Sequence, residues 1–136
     1  MRKLLIVACA LLLLIPAAFS QNAQPIFSTN SSVTIITGNT FQVLRPATQN
    51  YNSLTIQNNN MSTTDNCFVD VTGLVQPGNT TATSVVTVGG VTLTAAQASV
   101  ALVPGGSYQR YYPKLPRNQI VVTCATGGDS VYADVQ

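Results

Sequence analysis

The sequence predicts an all-β protein: an antiparallel β-sandwich or jelly-roll-like barrel of about eight to ten short strands, closed by one disulfide. Three observations predict it. Short runs of Val, Ile, Thr and Tyr recur between clusters of Gly, Pro and Asn. Nothing outside the N-terminal segment carries the apolar period of a helix longer than one turn. Two cysteines remain once a leader is set aside, and both lie in alternating apolar runs.

The leader comes first. Met1-Arg2-Lys3 is basic, residues 4–15 are apolar, and Ala18 and Ser20 place small side chains at −3 and −1 of a cut before Gln21. The apolar run is shorter than the roughly 20 residues of a membrane-spanning helix. The expectation is therefore a secreted or periplasmic protein, cleaved near Gln21, with no membrane span. Ile6-Val7-Ala8-Cys9 has the look of a lipoprotein box, but the apolar run continues past Cys9, which favours the later cut. The expected organisation is a leader over residues 1–20, a flexible lead-in over 21–32, and one β-sandwich domain over 33–136.

The strands then follow in order. Residues 33–37 form an apolar run ended by Gly38-Asn39, and residues 41–44 form a second ended by Arg45-Pro46. Residues 53–58 alternate Leu54 and Ile56 against Thr55 and Gln57, the period of a half-buried strand. Residues 67–72 alternate Cys67, Val69 and Val71 against Phe68, Asp70 and Thr72. Gly89-Gly90 joins residues 84–88 to 91–93 as a two-residue hairpin. Residues 94–98 suit one helical turn. Residues 100–103 and 107–112 flank Pro104-Gly105-Gly106, and residues 119–125 and 130–135 flank Gly127-Gly128-Asp129.

Cys67 and Cys124 are expected to form a buried disulfide. Each shares its parity with apolar neighbours, Val69 and Val71 for one, Ile120 and Val122 for the other. Leu54-Thr55-Ile56-Gln57-Asn58, then Pro104-Gly105-Gly106-Ser107, then Ile120-Val121-Val122 and Val131-Tyr132, resemble small β-sandwich proteins of phage-type virions and their bacterial relatives. The resemblance runs over residues 53–136 and implies the sandwich fold. The leader and the cysteine pair set this chain apart from the cytoplasmically assembled members.

Composition removes much chemistry. The chain has no His, and its four acidic residues are Asp65, Asp70, Asp129 and Asp134, so it has no Glu. His-based triads and His-liganded zinc are thereby excluded. Without the leader, four basic residues face four Asp, so no net field draws nucleic acid. Asp70-Val71-Thr72-Gly73 lacks the uninterrupted Asp-Thr-Gly of aspartic proteases, and Gly128-Asp129-Ser130 has no His to activate its serine. The Asp and Asn residues show no calcium-loop spacing. The expectation is a protein that is not an enzyme and holds no cofactor and no metal.

Its expected role is structural or surface-interacting, including self-association through sheet edges in an extracellular assembly. The alternative is a carbohydrate- or other ligand-binding module on residues 108–117. That segment offers Tyr108, Arg110, Tyr111, Tyr112, Lys114 and Arg117, holding three of the five tyrosines and three of the four basic residues outside the leader. On a strand, Tyr108, Arg110 and Tyr112 share one face, and Gln109 and Tyr111 the other. Asn30-Ser31-Ser32, Asn60-Met61-Ser62 and Asn79-Thr80-Thr81 fit the N-glycosylation pattern.

Overall fold

The computed structural model describes residues 29–47, 51–60, 64–111, 113 and 115–136. The expected leader and its cut, Cys9, and residues 21–28 of the expected lead-in lie outside the described residues. Ten strands follow one another: β1 (Thr29–Thr34), β2 (Gln42–Arg45), β3 (Ser53–Asn58), β4 (Cys67–Asp70), β5 (Val85–Val88), β6 (Val91–Thr94), β7 (Val100–Leu102), β8 (Ser107–Tyr111), β9 (Ile120–Cys124) and β10 (Ser130–Val135).

Eight of them form two antiparallel sheets, ordered β1-β10-β3-β8 and β2-β9-β4-β7. The pairings are nested: β1 with β10, β2 with β9, β3 with β8, β4 with β7. The chain is thus a long ribbon doubled back on itself and rolled up, so that β10 also meets β3 and β9 also meets β4. This is jelly-roll topology, with the β5–β6 hairpin inserted between β4 and β7.

Between the sheets lie the residues that the alternation predicts. Leu54 and Ile56 of β3, and Val131, Ala133 and Val135 of β10, face Cys67 and Val69 of β4 and Ile120, Val122 and Cys124 of β9. Burying each of the larger side chains contributes roughly 1.5–3 kcal/mol. Asn58, fully buried at the end of β3, fastens the layers by donating from Nδ2 to the Leu102 carbonyl of β7 at 3.1 Å.

Cys67 and Cys124 sit opposite each other in the β4·β9 register and are disulfide-bonded, with no exposed surface. The bridge therefore joins neighbouring strands of one sheet. It closes a separation of 57 residues, which spans the whole β5–β8 excursion.

Three elements differ from the sequence reading. β1 begins at Thr29 and ends at Thr34, earlier than the expected 33–37, because its backbone continues the ladder with β10 from Thr29↔Val135 to Thr34↔Ser130. Beyond it the chain turns at Gly38, where a Cβ would lie 2.5 Å from the Ala125 carbonyl oxygen. In β2 the register slips between Val43 and Arg45, a bulge that breaks alternation and buries both Leu44 and Arg45.

The third difference concerns Asp70. Its parity puts it on the outer side of the second sheet, as expected, yet it is fully buried. The reason is that part of the 71–99 excursion folds over that side. Phe41, Val75, Ala95 and Val121 form a second apolar cluster there, with Phe68, Val86 and Ala98 packed against it. All five residues of β9 are buried in consequence. Asp70 organises the cover: Oδ1 accepts from the Thr72 amide at 2.8 Å and from its hydroxyl, and Oδ2 accepts from the Val75 amide at 2.8 Å. In the hairpin, Gly89 (φ 56°) and Gly90 (φ 82°) hold the left-handed turn that the sequence predicts.

Two stability outcomes follow from this packing. Cys124→Ser should cost about 2–5 kcal/mol in denaturant unfolding, the usual range for losing a native bridge. Asp70→Ala should cost about 2–4 kcal/mol, because it strips partners from amides in a buried loop. A loss below the scatter of the measurement would show that the cover does not depend on Asp70.

Candidate functional site

Nested pairing brings one end of the roll together from distant parts of the chain. Ser53 of β3 pairs with Tyr111 of β8, Leu54 with Arg110, and Ile56 with Tyr108. Cross-strand partners share a face, so Tyr108 and Arg110 lie on the inner side of the edge strand β8. Gln109 and Tyr111 lie on the outer side, where the Tyr111 hydroxyl donates to Gln109 Oε1 at 3.3 Å.

Tyr108 is half-buried against the main core, and the Arg110 guanidinium lies over its ring, 4.7 Å from the centroid. Arg110, Tyr111 and Arg117 are exposed. Tyr112 and Lys114 lie outside the residues whose side chains are described. Of the candidate segment, Tyr108 and Arg110 are therefore stacked on each other, Tyr111 faces away from them, and Arg117 joins them through another residue.

That residue is Tyr51, which sequence reasoning missed together with Arg45. Arg45 lies over the Tyr51 ring at 5.8 Å from its centroid. The Tyr51 hydroxyl donates to the Pro116 carbonyl, tying the β2–β3 connection to the β8–β9 connection. Burial raises the Tyr51 phenol above its usual pKa; Arg45 opposes the shift, Tyr108 adds to it, and Arg117 opposes it. Tyr51 thus sits within electrostatic reach of two arginines and of Tyr108. All three described arginines gather around two tyrosines at this end. No local signal marks Arg45 and Tyr51, because only the β3·β8 and β2·β9 pairings bring them here.

The opposite end holds the disulfide and two acids. Asp129 Oδ1 accepts from Asn60 Nδ2 at 2.7 Å, while its Oδ2 is buried without a hydrogen-bond partner. Burial raises the Asp129 pKa, the neighbouring Asp65 raises it further, and the Asn60 hydrogen bond opposes both. One carboxylate oxygen of Asp129 and the two cysteine sulfurs lie within 4.8 Å of one another. The sulfurs are bonded together, so they are not thiolate ligands. Asp70 and Asp134 stand apart, Asp70 under the outer cover and Asp134 opposite Thr55 on the outer side of the first sheet.

No family model, no characterised protein and no solved structure matches this chain. Among the described residues no helix is long and apolar enough to cross a membrane.

The Asp129 carboxyl gives a pH outcome. Its folded pKa lies above the unfolded value, so the folded state holds the proton more tightly. Stability is then greatest below the unfolded pKa and falls as pH rises through the folded one. Asp129→Asn keeps an acceptor for Asn60 and removes the charge. Thermal melts from acid to neutral pH should show the variant gaining on the parent as pH rises; parallel curves would contradict the assignment.

Proposed function

We propose that the chain is a secreted, non-catalytic jelly-roll protein with a structural or surface-interaction role, a subunit of an extracellular assembly joined through the edge of β1. Export rests on the leader pattern of residues 1–20, and the buried disulfide suits an oxidising compartment. A non-catalytic role rests on the absence of His and Glu from the sequence and on the consumption of Cys67 and Cys124.

The observation that carries the assembly reading is the contrast among the four sheet edges. Sheet proteins guard their edges with charge, bulges or short strands. β2 has a bulge and Arg45, β8 has Arg110, and β7 has only 3 residues. β1 has 6 residues, Thr-Asn-Ser-Ser-Val-Thr, with no charge, no proline and no break in its ladder to β10. Among the described residues β10 is its one strand neighbour, and the Thr34 carbonyl at its end accepts from Gln42 Nε2 at 2.7 Å. A strand of a second copy adds there by backbone hydrogen bonds. The apolar hairpin tip, with Val88 and Val91 exposed beside Gly89 and Gly90, adds a second contact of the kind an assembly covers.

Light scattering on the leader-free protein after size-exclusion chromatography should show oligomers. Ser32→Lys with Thr34→Lys, both exposed on β1, should yield monomers with an unchanged melting temperature. A parent protein that stays monomeric at high concentration would sink the assembly reading.

A further inference from the structure

We propose that the exposed Arg110 and Arg117, held beside the Tyr108 and Tyr51 rings at one end of the roll, form a binding site for a carboxylate-bearing polysaccharide. The proposal does not rest on assembly through β1. Two observations carry it.

The first is charge segregation. Arg45, Arg110 and Arg117 stand at one end of the roll, whereas Asp65 and Asp129 stand near the disulfide at the other. Asp70 is engaged by the Thr72 and Val75 amides, and Asp134 occupies the opposite face of the first sheet. Among the described residues no carboxylate pairs with Arg110 or Arg117. A protein whose net charge without its leader is zero thus presents a locally cationic end.

The second is the way the guanidiniums are held. Arg110 stacks on Tyr108, the buried Arg45 lies over Tyr51, and both rings pack against the main core. A guanidinium resting on a ring loses little freedom when its N–H edge grips an anion, and that edge matches a carboxylate in bidentate fashion. The Tyr51–Pro116 hydrogen bond fixes the loop that carries Arg117 beside this pair.

The same geometry disfavours a nucleic acid. Base stacking needs free ring faces, and Tyr108 and Tyr51 each have a face covered by an arginine. A carboxylated sugar chain asks for the opposite arrangement: spaced, oriented guanidiniums.

The test is calorimetric titration of the leader-free protein with oligogalacturonate, its methyl ester and a single-stranded DNA oligonucleotide. Oligogalacturonate should bind, and raising salt should weaken it. The methyl ester should not bind. Arg110→Gln with Arg117→Gln, both exposed, should weaken binding by about tenfold or more at an unchanged melting temperature. Arg110→Lys with Arg117→Lys should recover only part of the loss, because a point charge replaces a fork. The monomeric Ser32→Lys, Thr34→Lys variant should bind like the parent, which separates this site from the assembly edge. No binding of oligogalacturonate, full affinity in the Gln pair, or tighter binding of the oligonucleotide would each overturn the proposal.

Discussion

Burial of β9 on both sides is the constraint around which the molecule is arranged. Ile120, Val122 and Cys124 enter the space between the sheets, while Val121 and Thr123 enter a second packed layer. A strand this apolar is stable at the centre of a sheet only when both faces are covered. The inner face is served by β3 and β10 of the opposite sheet. The outer face is served by part of the excursion between β4 and β7, which hands Phe68, Val75, Val86, Ala95 and Ala98 to the surface of Val121. The disulfide to Cys67 joins β9 to the strand from which that excursion departs. One covalent bond thereby shortens the loop whose ordering the cover requires.

This arrangement makes the two sheets unequal. The second sheet is covered outside, and its surface is the hairpin and the loops that Asp70 organises. The first sheet has a polar outer side, where the cross-strand rows read Asn30, Asp134, Thr55, Gln109 and Ser32, Tyr132, Gln57, Ser107. Hydroxyl and amide side chains, with Asp134 as the acid among them, keep that face polar. Asp65 and Asp129 stand at one end of the roll and the three described arginines at the other, so each end has an electrostatic character that the net charge conceals.

Much of this architecture was legible in the sequence, and the physical reason differs by element. β3 and β10 were readable to the residue because Leu54/Ile56 and Val131/Ala133/Val135 alternate cleanly against polar neighbours. The hairpin was readable because Gly89-Gly90 permits the positive φ it needs. β1 was misplaced by four residues at its start, since Asn30, Ser31 and Ser32 have no apolar signal and owe their place in the strand to the ladder with β10. The outer cover was invisible: an alternating pattern assigns Asp70 to a face but does not say whether another segment lies over it. The ladder of apolar residues 120–122 did hint at two-sided burial, because a one-sided strand would place a polar residue at Val121.

The arginine–tyrosine end shows the limit of reading a chain locally. Tyr108, Arg110 and Arg117 stand out in sequence because they are crowded into one segment. Arg45 and Tyr51 do not, being far upstream and on either side of a proline. Nested strand pairing is what closes the gap: once β2 lies beside β9 and β3 beside β8, the β2–β3 and β8–β9 connections emerge at the same end. The bulge in β2 then matters, for it turns Arg45 into the roll, where the guanidinium meets the Tyr51 ring. Tyr51 in turn is held by the Pro116 carbonyl, so the segment that looked self-contained depends on a residue from the far side of β3. The cluster is a product of topology, and its spacing is set by strands buried in the core rather than by the loops that carry its charges.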